Sequence, residues 1–146
     1  MDSALESMQA AAVGLIQKHP VFAPVPVFYE RQKNVRAELA AALNKLKGII
    51  ILILTPNGEN KTPGAQFVNL GVSLIAEVTE NVMANTGSIG TKLPCSFVAE
   101  QVAAHLHNAI WTPGKCLVFQ DINLIPNKTY LIYRVKFTSN VQLAAI

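Results

Sequence analysis

The strictest constraint on the fold is an alternation of side chains between Leu70 and Val78. Apolar residues occupy the even positions, and the odd positions are small or polar apart from Ile75. Successive side chains of a β-strand point to opposite faces of its sheet, so this period of two predicts an antiparallel strand with one buried face.

A helix is predicted beyond the turn residues Gly87, Gly90 and Pro94, with Ser96 or a neighbour as its N-terminal cap. Apolar side chains recur every four residues and so lie along one side of a helix. They are Val98, Val102, Leu106 and Ile110. This helix and the alternating strand are expected to pack on a common core.

Two further helices precede them. Ser3 with Glu6 makes a capping box at the start of the first, and Pro20 stops it. Its apolar side consists of Leu5, Met8, Ala12, Leu15 and Ile16. The second helix ends at Gly48, a residue suited to the left-handed position after a helix. Its apolar repeat is Val35, Leu39, Leu43 and Leu46.

The remaining strands differ in character. Ala23–Tyr29 contains two prolines, which confine it to a sheet edge or to the start of a strand. Ile49–Leu54 is apolar at every position, which predicts a central strand covered on both faces by helices, by another chain, or by both. Cys116–Ile125 and Leu131–Phe137 flank a turn and are expected to form a hairpin.

The predicted order is α-β-α-β-β-α-β-β. It favours an α+β, two-layer domain with a mixed or mainly antiparallel sheet of about five strands and three helices. We expect one domain over residues 1–146, because a chain of this length can bury a sufficient core without a disulfide or a metal.

Two connecting segments, Thr55–Gln66 and Ala84–Pro94, are rich in Gly, Pro, Asn and Thr. Such segments offer little apolar area to offset the entropy of ordering. We expect both to be mobile in the free protein and ordered on a partner.

Composition limits the class of partner. Only 14% of residues are charged, against about 25% in a typical soluble domain, so some apolar surface is expected to meet another subunit. The net charge of +3 is scattered from Lys18 to Lys136 and predicts no nucleic-acid patch. The longest apolar run, Ile49–Leu54, is too short to span a membrane. Asp2 and Glu6 stand where a secretory signal would have basic residues, so an intracellular origin is expected. Because the intracellular environment is reducing, Cys95 and Cys116 are expected to be buried thiols and not a disulfide.

No catalytic, cofactor or metal site is predicted. His105 and His107 point apart on a helix, and Glu77 and Glu80 lie on opposite faces of a strand. Gly87–Lys92 lacks the Gly-Lys pair of a phosphate-binding loop.

Trp111, the single tryptophan, is either an anchor at an interface or a lid on the core. The pattern of residues around it leaves both alternatives open.

Several segments in this order resemble the tail terminator and tail completion proteins of long-tailed phages. The resemblance covers most of the chain. Its segments are His19–Phe22, the strand end Glu80-Asn81, the helical Ala99–Val102, Leu106-His107, Trp111–Pro113 and Tyr133–Phe137. The family often has Gly after the Leu-His pair, where this chain has Asn108-Ala109-Ile110.

The resemblance implies a non-enzymatic virion protein at the head-proximal end of the tail, assembled in the host cytoplasm. It would form a hexameric ring that stops growth of the tail tube and docks the neck. Its partners would be further copies of itself, the tail tube protein and neck or connector proteins, with DNA only as cargo through the ring. The interface candidates are Asn57, Gly58, Asn60, Lys61, Asn85, Lys92, Trp111, Arg134 and Lys136.

Three alternatives stay open. The first is a head completion or neck connector protein. The second is a small cytosolic enzyme or ligand-binding domain whose site is assembled only in three dimensions. The third is a basic nucleic-acid module, whose binding would weaken steeply with salt.

Overall fold

The computed structural model of the protein describes residues 3–144 and is built around one mixed sheet. Its strands are β1 Val27–Tyr29, β2 Ile49–Ile53, β3 Asn57–Asn60, β4 Val68–Glu80, β7 Val118–Ile125 and β8 Leu131–Leu143, with β5 Ile110–Thr112 and β6 Lys115–Cys116 as a separate ladder. The helices are α1 Ala4–Gln17, α2 Val35–Ala41, α3 Val82–Thr86 and α4 Cys95–Leu106. A 3₁₀ turn, Pro20–Phe22, follows α1, and a π-helical turn, Ala42–Leu46, follows α2.

The strand order is β1-β2-β4-β8-β7, and β3 pairs with the part of β4 that β2 leaves free. β1 runs parallel to β2, and the other pairs are antiparallel. The predicted α+β class with a mixed, mainly antiparallel sheet is confirmed. The predicted edge position of the proline-containing strand and the final hairpin are confirmed as well.

The main core lies between the sheet and the helices α1 and α4. Residues from both helices and from one face of the central strands are almost completely buried there. They include Met8, Ala12, Ile16, Val98, Val102, Leu106, Val72, Leu74, Ala76, Val78, Val135 and Phe137. The alternation between Leu70 and Val78 therefore marks the face that the helices cover.

Strand β2 is buried on both faces, as its uninterrupted apolar run predicts. Ile49, Ile51 and Ile53 face the main core. Ile50 packs on the opposite face in a smaller cluster formed with Phe28, Ala42 and Leu43. The sequence leaves open whether helices or another chain cover β2. On the face of Ile50, α2 and its π-helical turn provide the cover.

Local signals at the helix ends are confirmed in two places. The Ser3 hydroxyl accepts a hydrogen bond from the backbone N–H of Glu6 at 3.2 Å. Gly48 has a φ of +77°, and a Cβ atom there would lie 2.3 Å from the backbone nitrogen of Asn85. Only glycine satisfies both requirements at this position.

Two expectations for α4 are wrong: its cap residue and the helical position of Ile110. Its cap position is Pro94, and neither Ser96 nor a neighbour contributes a capping side chain; a carboxylate from β4 takes that role. The helix ends at Leu106, because Asn108 adopts a left-handed backbone with φ +62°. Ile110 therefore leaves the predicted helical repeat and lies in β5, where it is mostly exposed.

The two segments predicted as loops are more regular than their composition suggests. Thr55–Gln66 contains β3, which pairs with β4 from Asn57↔Ser73 to Asn60↔Leu70. Ala84–Pro94 contains the end of α3 and a hydrogen-bonded turn. Pairing with strand β4 gives order to the first segment, and buried side-chain hydrogen bonds give order to the second.

Candidate functional site

The two faces of the β4–β8 ladder differ in covering. On the face away from α1 and α4, α2 and its π-helical turn contact β1 and β2. Further across, this face carries half-buried and exposed side chains, among them Ser73, Ile75, Lys136 and Thr138. We call this surface of β3, β4, β8 and β7 the open face.

Charges on the open face are largely matched. Arg134 donates from Nε to Glu77 Oε2 at 2.5 Å, and Lys61 Nζ lies 3.2 Å from Glu59 Oε2. Lys136 lies opposite Asp121 in the β7–β8 register but forms no salt bridge within residues 3–144. A surface with matched charges of this kind has no strong preference for either sign of partner.

A depression of about 560 Å³ lies toward the end of the open face that β3 borders. Asn57, Gly58 and Lys61 line one part of it, and Thr138 and Asn140 line another. The side chain of Lys61 lies over Gly71, where a Cβ atom would be 2.4 Å from the lysine Cε atom. The depression is polar and holds no pair of acids positioned for proton transfer.

The structure brings together five of the predicted interface residues. Asn57, Gly58 and Lys61 lie at the depression, and Arg134 and Lys136 lie on the same open face. Asn60 is close by in β3.

Three further candidates either shape the local structure or lie away from the open face. The Asn60 side chain accepts a hydrogen bond from the N–H of Thr62 at 3.1 Å and so shapes a turn. Trp111 is half-buried against the main core, and its Nε1 donates to the Ser139 hydroxyl at 2.9 Å. This geometry favours the lid alternative for Trp111. Lys92 is exposed and has a φ of +63°.

Asn85 is not a surface residue, because only 1% of it is exposed. Its Nδ2 donates to Glu80 Oε2 at 2.7 Å and to the carbonyl of Leu93 at 2.8 Å. Its Oδ1 accepts from the Thr91 hydroxyl at 2.7 Å and from the N–H of Lys92 at 3.0 Å. The side chain cannot meet a partner while these bonds hold, so the interface role predicted for Asn85 is wrong.

Glu80 is the buried acid of this network. Its Oε1 accepts a hydrogen bond from the N–H of Cys95 at 3.0 Å and so caps the N-terminus of α4, where a negative charge is favourable. Two effects raise the pKa of Cys95 to about 12: burial of the thiol, which is the larger, and the nearby charge of Glu80. The thiol is therefore unreactive at neutral pH, as expected of a structural cysteine. Cys116 is half-buried.

The histidines gather at the C-terminal end of α4 without forming a metal site. The rings of His19 and His105 lie 4.3 Å apart, and Phe22 packs edge-on against His105. His107 ends the helix, and its Nδ1 accepts a hydrogen bond from the N–H of Phe119 at 3.1 Å. Partial burial, the charge of His105 and that of Lys18 lower the pKa of His19.

Within residues 3–144, no three His, Cys, Asp or Glu side chains are placed to hold a metal ion. The same part of the chain contains no helix that is long and apolar enough to cross a membrane.

Comparison with known proteins shows a likeness among solved structures. No protein-family model matches the chain, and no curated protein matches it. A solved structure of the virion of a native gene transfer agent particle contains a chain of similar fold, with a TM-score of 0.66. The superposition covers 97% of this chain and 99% of that chain, at 13% sequence identity. At this identity the likeness shows a shared fold.

Proposed function

We propose that the protein is a non-enzymatic structural component of a phage-like virion, of the tail terminator type. The observation that carries the proposal is the fold likeness to a chain of the gene transfer agent virion over nearly the full length of both chains. The order of segments from His19 to Phe137, which resembles tail terminators, supports the same assignment.

In this proposal the protein forms a ring at the head-proximal end of the tail, ends growth of the tube and presents a surface to the neck. Surface complementarity rather than chemistry carries the function. A ring needs a heterologous interface repeated around a closed axis. Three large apolar side chains that are more than half exposed in the single chain are proposed to contribute to it: Phe67, Ile110 and Leu124.

The interface candidates on the open face keep their proposed role. The depression around Asn57, Gly58 and Lys61, together with Arg134 and Lys136, is proposed to meet the tube, the neck or the next subunit. Trp111 lies on the covered side of β8, where its hydrogen bond to Ser139 supports the strand beside Thr138 and Asn140 of the depression.

The test is the mass of the protein in solution at rising concentration, followed by negative-stain imaging and by binding to purified tail tubes. The expected result is a closed ring with a central opening, alone or at the tube end. A chain that stays monomeric and does not bind tubes would contradict the proposal. A ring that binds a portal or connector in preference to the tube end would favour the head completion alternative.

A further inference from the structure

One corner of the molecule combines exposed apolar side chains with unpaired positive charge. It is formed by residues 44–48, at the end of the π-helical turn, and residues 81–92, which include α3. We call it the α3 corner. Four large apolar side chains in it are exposed, Met83 to 88% and Ile89 to 63%, and the full set is Leu46, Val82, Met83 and Ile89.

Backbone contacts hold the two parts of the α3 corner together. The N–H of Asn81 donates to the carbonyl of Gly48 at 2.8 Å, and the N–H of Thr91 approaches the carbonyl of Lys47 at 3.4 Å. The Asn81 amide also donates to Asn44 Oδ1 at 3.0 Å. The buried side chain of Asn85 fixes the turn from below. The exposed side chains therefore stand on an ordered platform, which reduces the entropy lost on binding.

The charge of the α3 corner is entirely positive. Lys45, Lys47 and Lys92 are exposed, and none of them forms a salt bridge within residues 3–144. Residues 44–48 and 81–92 contain no Asp or Glu. By contrast, Lys61 and Arg134 on the open face each have an acidic partner.

We infer that the α3 corner is a docking site for an acidic, amphipathic segment of a partner protein. The apolar side of such a segment would cover Met83 and Ile89, and its carboxylates would meet the three lysines. Methionine suits this contact because its flexible side chain adapts to the shape of its partner. The inference deepens the proposed function by naming the chemistry of one partner, and it rests on that function for the partner's place in the virion.

The composition of the corner favours a protein over nucleic acid. Single-stranded nucleic acid is bound by aromatic side chains that stack on bases, together with several cations along the backbone. Residues 44–48 and 81–92 contain neither an aromatic residue nor an arginine. An exposed Met83 and Ile89 would gain little from a phosphate surface.

The experiment uses the full chain and a short peptide of Glu and Leu arranged as an amphipathic helix. Fluorescence anisotropy of the labelled peptide measures affinity, and amide NMR shifts locate the contact. Binding with shifts confined to residues 44–48 and 81–92 is expected. The triple variant K45E/K47E/K92E should bind at least about tenfold more weakly.

Two controls make the test specific. The variant K18E/K33E/R36E changes the net charge equally at exposed residues outside the α3 corner and the open face, and it should retain binding. The matched peptide of Lys and Leu should bind the K45E/K47E/K92E variant better than the natural chain. Thermal unfolding checks that both variants fold.

Absence of acidic-peptide binding, shifts elsewhere, or equal loss in the control variant would overturn the inference. Stronger occupation of the corner by a short DNA duplex or by phosphatidylglycerol vesicles would also overturn it. Ring formation by the K45E/K47E/K92E variant is measured separately, so that failure of docking is distinguished from failure of the proposed ring.

Discussion

The two faces of the β4–β8 ladder share the same backbone but differ in burial. On the covered face Leu74 lies beside Phe137, and both are almost completely buried. One residue further along, Ile75 lies beside Lys136 on the open face. Since side chains alternate along a strand, a slip of one residue would exchange the two faces.

The difference teaches where function can reside in this fold. The covered face is a packed core whose residues are fixed by volume and by contact with α1 and α4. The open face and the α3 corner carry the polar and charged groups that packing leaves free. Substitutions on the covered face should therefore change stability, and substitutions elsewhere should change assembly.

The largest effect is expected from Phe137→Ala. The ring is fully buried and packs edge-on against Phe119, with ring centroids 6.1 Å apart. Its loss should lower the free energy of unfolding by about 3–5 kcal/mol in urea denaturation. The neighbouring Lys136→Ala, on the open face, should change it by less than about 0.5 kcal/mol.

A comparable loss in both variants would contradict the assignment of the two faces. Where Phe137→Ala does not fold, Phe137→Leu gives a measurable intermediate value, because Leu fills part of the same space.

A smaller effect is expected from Asn85→Ala. The substitution removes four side-chain hydrogen bonds and leaves the buried Glu80 carboxylate with one fewer donor. An unsatisfied buried group of this kind should cost about 2–3 kcal/mol in urea denaturation. Met83→Ala in the same short helix should cost less than about 0.5 kcal/mol, because Met83 is exposed.

Hydrogen exchange provides the local measurement for this prediction. Protection of residues 84–94 should fall in Asn85→Ala and stay unchanged in Met83→Ala. Equal protection in all three proteins would mean that the Asn85 network does not hold the turn.

A still smaller effect is expected from Trp111→Phe. The substitution keeps an aromatic ring against the core but removes the hydrogen bond to Ser139. The expected loss is about 1 kcal/mol. A double-mutant cycle with Ser139→Ala should give a coupling energy of about 0.5–1.5 kcal/mol. A coupling of zero would mean that the hydrogen bond to Ser139 does not stabilise the fold, and it would remove this support for Trp111 as a lid on the core.

Much of the fold could be predicted because its signals are local. Alternation predicts which residues of β4 are buried, the capping box predicts the start of α1, and Gly48 predicts the end of the α2 segment. Each depends on side chains that are close in sequence. The uninterrupted run in β2 likewise predicts cover on both faces, although the identity of the cover needed the structure.

The errors lie where distant residues supply the order. Asn85 lies in a segment rich in Asn, Thr and Gly, a composition typical of exposed turns. It is nevertheless buried, because its side chain donates hydrogen bonds to the Glu80 carboxylate and the Leu93 carbonyl. The same carboxylate caps α4 from fifteen residues away. Strand β3 contains an Asn-Gly pair and is exposed throughout, so only its pairing with β4 reveals it.

The candidate site was predicted in part for the same reason. Asn57, Gly58 and Lys61 are neighbours in sequence, but their position beside Thr138 and Asn140 depends on the register of two long strands. The α3 corner was not predicted, although Lys92 was named, because residues 44–48 and 81–92 meet only in the folded chain.

The smallest effect is a pH dependence within the helix layer on the covered face. The pKa of His19 is lowered from its ordinary 6.5 by partial burial, by the charge of His105 and by that of Lys18. The unfolded chain therefore binds more protons than the folded chain near and below pH 6.5, and stability should fall as the pH drops through that window.

The substitution His19→Gln tests this dependence and should flatten the fall slightly, because glutamine does not titrate. Urea denaturation of both proteins across the window measures the difference in the free energy of unfolding. An NMR titration of the His19 ring should give a midpoint below 6.5. Parallel stability curves with an unshifted midpoint would mean that the stacking of His19 on His105 does not disfavour protonation.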